Sequence, residues 1–142
     1  MPESVRDGEG GRKRRRNTVK TMHHVAMICS DREKALAFYH EKLGFPILRE
    51  HYREKRDDWK IDLEMDGCEL ELFIMKNCPK RPSYPEAYGL RHLAFRVPDV
   101  ETAVRELEAK GIPCEPVRVD DYTGKKMTFF FDPDGLPLEI HE

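Results

Sequence analysis

The chain has 142 residues, 37% of them charged and 39% hydrophobic, and a formal net charge of −2. Its length predicts one soluble domain with a working core, and the lack of any apolar run near ~20 residues excludes a membrane-spanning protein. Cys29, Cys68, Cys78 and Cys114 form no CxxC pair, which excludes a zinc knuckle or disulfide framework and predicts reduced thiols in a cytoplasmic protein.

Residues 1–21 are rich in Gly and charge, with the run GRKRRR at 11–16 and almost no large apolar side chain. They predict a disordered basic arm that contributes nothing to a core. The arm carries seven Lys or Arg against three Asp or Glu, a net +4, so residues 22–142 hold −2 minus 4, or −6. An acidic body argues against a nucleic-acid surface there.

An apolar strand opens the body at His24 and closes on Asp31, where a helix N-cap belongs. Ala35, Leu36, Phe38, Tyr39 and Leu43 then recur at helical spacing until Gly44. Strands are predicted at 46–52, 58–65 and 69–76, the last two joined by an Asp66-Gly67 turn of the hairpin type. A linker rich in Pro follows over 79–90.

The same order returns after it. Shifted by 68 residues, His24 to Asp31 falls on His92 to Asp99, and Asp66 to Glu71 falls on Asp134 to Glu139. A second helix is predicted from Val100, Ala103, Val104 and Leu107 until Gly111, followed by strands at 114–119, 126–132 and 136–141. The body is therefore a duplicated βαβββ module, of α+β class, with module one at 22–78 and module two at 91–142.

Strand alternation puts His24 opposite Val25, Met27 and Cys29, and His92 opposite Leu93, Phe95 and Val97. Glu71 and Glu139 likewise oppose the apolar residues of their strands. Curling the two sheets together would bring two imidazoles and two carboxylates to one centre, a donor set suited to one divalent metal: zinc, iron, nickel, cobalt or manganese. A lone strand His or Glu is ordinarily structural; the constant 47-residue His-to-Glu separation singles out His24, Glu71, His92 and Glu139. His23 and Glu69 break the repeat, their counterparts being Arg91 and Pro137.

The paired modules, the H-x6-D strand openings and the closing FFFDPDGLPLEI at 129–140 resemble the vicinal oxygen chelate superfamily, which includes glyoxalase I, extradiol dioxygenases and fosfomycin or bleomycin resistance proteins. YREKRDDWKIDL at 52–63 and KRPSYPEAYGLRHLAF at 80–95 are similar to a small bacterial glyoxalase-like subgroup. The resemblance covers 22–142 and implies an open, curved, eight-stranded mixed sheet with the same four residues as ligands. In bacterial glyoxalase I an Arg lies four residues beyond the first ligand His and an Asn four beyond the first ligand Glu; here those positions hold Ile28 and Met75. The glutathione contacts therefore do not carry over.

The chemistry implied is a metal-dependent lyase or isomerase acting on a small α-hydroxycarbonyl or hemithioacetal, with Glu139 or Glu71 as base and an enediolate on the way. The alternatives are a small-molecule binding or resistance protein of the same fold and an extradiol dioxygenase, which the fourth ligand disfavours. Arg53, Lys60, Arg91 and Tyr122, with Tyr52 and Asp62, are the candidate substrate contacts on or beside the strands. A homodimer is expected, because small open sheets leave edges that a second chain can cover.

Overall fold

The structure is a computed structural model that describes residues 18–142. The basic arm expected over 1–21 lies, for residues 1–17, outside the described residues.

Each module is a strand, a helix and three strands. Module one comprises β1 (His24–Cys29), α1 (Arg32–Leu36) running into a π-helical turn (Ala37–Lys42), β2 (Ile47–Arg53), β3 (Asp58–Met65) and β4 (Cys68–Ile74). Module two comprises β5 (Leu93–Arg96), α2 (Val100–Ala109), β6 (Arg118–Val119), β7 (Lys126–Phe131) and β8 (Pro137–His141). The eight strands form two four-stranded mixed sheets, ordered β1-β4-β3-β2 and β5-β8-β7-β6. In each, the strand that begins at the His (His24 of β1) or just after it (His92, before β5) pairs in parallel with the Glu-bearing strand, and the other pairings are antiparallel.

The predicted caps act as expected. Asp31 accepts from the Lys34 amide at 2.9 Å and Asp99 from the Thr102 amide at 3.1 Å, each satisfying a first-turn N–H that has no partner within the helix. Gly44 and Gly111 end their helices at φ +83° and +80°, a left-handed conformation costly for a residue with a Cβ. The first helix is less regular than its spacing predicts: the Leu43 amide reaches back five residues to Phe38 O at 2.9 Å. The strand expected at 114–119 shortens to Arg118–Val119.

The two hairpins differ. Asp66 and Gly67 both have positive φ, 39° and 84°, and close a two-residue turn between Met65 and Cys68. The second hairpin pairs Phe131 with Pro137 across five loop residues, so the turn expected at Asp134-Gly135 is longer. This loop is anchored on Asp132, whose Oδ1 accepts from the Asp134 and Leu136 amides at 2.9 Å each. The longer loop also shortens the repeat offset for β7 to 67 residues: Asp62 pairs with Glu71, and Phe129, not Phe130, pairs with Glu139.

A single core joins the modules on their helix-bearing faces, where Leu70, Leu72, Ile61, Leu63 and Leu138 are fully shielded from solvent. Phe38 of the π-helical turn lies 6.2 Å from Phe130 of β7, ring centre to ring centre. Beside it the buried Tyr39 hydroxyl donates to Asp132 Oδ2 at 2.6 Å. Ser30, just after β1, donates through its amide to Asp134 Oδ2 at 3.0 Å. The long second loop thus docks module two onto the first helix, and the His- and Glu-bearing faces lie on the opposite side of each sheet from this core.

Candidate metal centre

The parallel pairing of β1 with β4 sets Ala26 beside Glu71 and His24 beside Glu69, so His24 and Glu71 meet on the diagonal. His24 Nδ1 lies 3.3 Å from Glu71 Oε2. In module two, Ala94 pairs with Glu139, and His92 Nε2 lies 3.6 Å from Glu139 Oε1. Two donor atoms bound to one metal at about 2.0–2.2 Å stand roughly 3.0–3.6 Å apart at octahedral or tetrahedral angles. Each pair is therefore spaced as half of a metal site, and its nitrogen and oxygen donors suit a borderline divalent ion.

The surroundings of the two pairs are unlike. Asp62, with 1% of its side chain exposed, receives Arg49 Nε at 3.0 Å and Lys60 Nζ at 2.8 Å. Burial works to raise the Asp62 carboxyl, but the hydrogen bonds from Lys60 and Arg49 overcome it and hold the group below the usual carboxylate range. Arg49 Nη2 also holds both oxygens of Glu69 at 2.6 Å, and Lys60 Nζ approaches Glu71 Oε1 to 3.7 Å. Asp62, Glu69 and Glu71 form the one acidic group among the described residues with ligand atoms within 4.8 Å of one another. Arg49 and Lys60 account for it without a separate ion.

In module two, the rings of Phe129 and His92 meet edge-on at 5.1 Å, and the Arg118 guanidinium lies over the Phe129 ring, 5.3 Å from its centre. An aromatic wall thus replaces the charged network. Beside it a cavity of about 440 Å³ is lined by Arg81, Arg91, His92, Arg118 and Phe129, among others.

The two pairs do not converge within the chain. No three of His24, Glu71, His92 and Glu139 bring ligand atoms within 4.8 Å of one another. The physical reason is the core: the modules pack through their helix-bearing faces, so each half-site stands on the face turned away from it, with the side chains of His24 and His92 41% and 25% exposed and those of Glu71 and Glu139 10% and 13%.

Of the candidate substrate contacts, Lys60 lies at the first pair. Arg53 shares its face but is held by Asp58 at 2.6 and 2.7 Å and stacks over Phe73. Arg91 lines the cavity beside His92 and pairs with Glu86 at 2.7 Å. Tyr122 lies fully exposed in the β6–β7 loop and lines none of the described cavities near either pair. Tyr52 packs on Trp59, whose strand neighbour Ile74 belongs to the core face, and so points away from Glu71. His23 Nδ1 lies 2.9 Å from His24 Nδ1 and is a neighbour of the first pair.

Arg49 was not apparent in the sequence. A bulge at Leu48 shifts the β2 register, so that Ile47 faces Leu63 while Arg49 faces Asp62; without it Arg49 would fall on the core face. The alternation of β2 carries no mark of that extra residue.

The Glyoxalase/Bleomycin resistance protein/Dioxygenase superfamily matches residues 21–140. The chain belongs to that superfamily. Protein YwkD of Bacillus subtilis is 54% identical over 125 residues, spanning 87% of this chain and 98% of its own. A crystal structure of a glyoxalase family protein from Enterococcus faecalis is 58% identical, with a TM-score of 0.84 over 87% of this chain and 98% of that one. At greater distance, the metallothiol transferase FosB of Lysinibacillus sphaericus is 27% identical, covering 87% of this chain and 83% of its own. The trypanothione-dependent glyoxalase I of Leishmania major is 26% identical, with a TM-score of 0.65 and 87% of each chain covered. Among the described residues of this superfamily member, no helix is long and apolar enough to cross a membrane.

Proposed function

We propose that this chain is a metal-dependent lyase or isomerase of glyoxalase type, holding one divalent ion between His24, Glu71, His92 and Glu139. The observation that carries the reading is the repeated His–Glu pair, spaced at 3.3 Å in one module and 3.6 Å in the other. Zinc, nickel, cobalt, manganese and iron all accept such donors. Relatives named as a metallothiol transferase and a glyoxalase I support a metal enzyme acting on small molecules.

Because the half-sites look outward from a common core, a complete site needs module one of one chain facing module two of another. β1 and β5 are edge strands of their sheets, and a twofold homodimer that covers both edges forms two equivalent centres. The protein works in the cytoplasm in this reading.

A divalent ion bound there supplies Lewis acidity to adjacent oxygens of an α-hydroxycarbonyl or hemithioacetal. The protein's own part is to move a proton from one carbon to its neighbour, with no net change in oxidation level. Glu139 is the preferred base: its one ion-pair neighbour among the described residues is His92, whereas Lys60 restrains Glu71. Phe129 walls the second half-site and limits water there.

Metal analysis of the purified full chain tests the ligand set, with His24→Ala and His92→Ala as variants. Each variant is expected to lose stoichiometric metal, and mixing the two under subunit exchange is expected to restore a fraction of it, because one of the two centres in a mixed dimer is intact. Full metal in both variants, or no recovery on mixing, overturns the assignment or the sharing respectively. Turnover of hemithioacetals made from an α-ketoaldehyde and a panel of thiols tests the reaction.

A further inference from the structure

The cavity beside His92 holds an excess of positive charge inside an acidic body. Arg81, Arg91 and Arg118 line it against Glu86 and Glu115, while residues 22–142 carry a net −6. Two of the arginines are matched: Arg91 by Glu86 at 2.7 Å, Arg118 by Glu115 at 3.5 Å. Arg81 has no carboxylate within ion-pair distance among the described residues.

Arg81 is nevertheless held in place. Its Nη2 donates to the carbonyls of Leu90 and Arg91 at 2.9 Å each, which ties the linker to the residues leading into His92. Its Nε is shielded from solvent and has no hydrogen-bond partner among the described residues. A charged donor that is partly desolvated and unmatched is costly to leave so, and one already oriented by backbone carbonyls loses little freedom on binding a ligand. Arg81 also borders a second cavity with Asp132 and Asp134. Those carboxylates are engaged by Tyr39, Ser30 and backbone amides.

We infer that Arg81 anchors an anionic group of the substrate, a carboxylate or a phosphate-type oxyanion, in the cavity that His92 lines. Arg118, stacked on Phe129, forms a cationic wall of the same cavity. Nη2 is committed to the two carbonyls and Nε is shielded, so Nη1 is the donor left for the oxyanion, a charge-assisted contact open to either anion. This rests on the proposed metal site only for which end of the substrate reacts: the anion lies at Arg81 and the neutral oxygens face the His–Glu pairs.

The test is titration of the full chain with inorganic phosphate and, separately, succinate, both as purified and after chelation of metal. Side-chain ¹⁵N NMR follows the Arg81 Nε–H resonance, identified by its absence in Arg81→Met. We expect that resonance to move saturably with at least one anion, before and after chelation. Arg81→Met is expected to weaken that anion about tenfold or more, Arg81→Lys less, and Arg105→Met on α2 not at all. A response to phosphate alone assigns a phosphate-type group, and a response to succinate alone a carboxylate. No movement of the Arg81 resonance with either anion, or binding that disappears on chelation, overturns the proposal. The native-protein measurement decides the matter even where Arg81→Met does not fold. Loss of the proposed metal site would leave the chelated-protein titration unchanged, so the two readings fail separately.

Discussion

Modules one and two carry the same His–Glu pair on the same diagonal of a parallel strand pair, yet the residue that faces the Glu across the next strand is Asp62 in one and Phe129 in the other. Around Asp62 gather Arg49 and Lys60; around Phe129 gather His92 and Arg118. The charged half restrains its carboxylate by ion pairs, whereas the aromatic half restrains its imidazole by packing and leaves Glu139 with no Lys or Arg in ion-pair distance among the described residues. Duplication preserved the donor atoms while the supports diverged, and the proposed division, one half holding metal and the other moving the proton, rests on that difference.

The largest expected effects should be symmetric. His24→Ala and His92→Ala are each expected to abolish stoichiometric metal, read by elemental analysis; retention in one alone would mean that a single half-site suffices. Leu70 and Leu138 occupy matching positions in the repeat and are both fully shielded. Leu70→Ala and Leu138→Ala should each cost about 2–5 kcal/mol in denaturant unfolding. A much smaller loss in one would show that its module packs loosely.

The supports should respond asymmetrically. Asp62→Asn is expected to weaken metal binding by roughly 10–100-fold, since it removes the partner that positions Arg49 and Lys60 around Glu71. Phe129→Leu should alter metal affinity far less and reduce turnover. Asp62 also sets a pH dependence: its carboxyl lies below its ordinary 3.8 in the fold. Its contribution to stability is present above that value and lost as pH falls through the lower, folded one, so Asp62→Asn should flatten the acid limb of the stability profile.

Smaller effects should again match between modules. Asp31→Ala and Asp99→Ala each remove a helix cap and should cost about 1 kcal/mol by thermal unfolding. Deleting residues 1–21 is expected to leave the melting temperature unchanged, because residues 18–21 are exposed and the arm holds almost no core-forming side chain.

Much of this was readable from residue order. The 68-residue repeat marked His24, Glu71, His92 and Glu139, because a duplicated strand must return the same side chain to the same face. The caps at Asp31 and Asp99 and the helix stops at Gly44 and Gly111 were equally local. The second hairpin was not, since Asp134-Gly135 resembles Asp66-Gly67 until Asp132 is seen gathering the loop amides and the Tyr39 hydroxyl, 93 residues distant. Arg49 was hidden by the bulge at Leu48, which moves a charged side chain between faces without changing the composition of its strand.

By itself, the sequence determined the two modules, the order of their helices and strands, and the face on which each His and Glu stands, because periodicity and caps act over a few residues. Only the tertiary structure decided that the modules join through their helix-bearing faces and turn the two pairs outward. That choice depends on Phe38 meeting Phe130 and Tyr39 meeting Asp132. Such contacts lie far apart along the chain, and complementary shape and hydrogen bonding, which no local pattern records, select them.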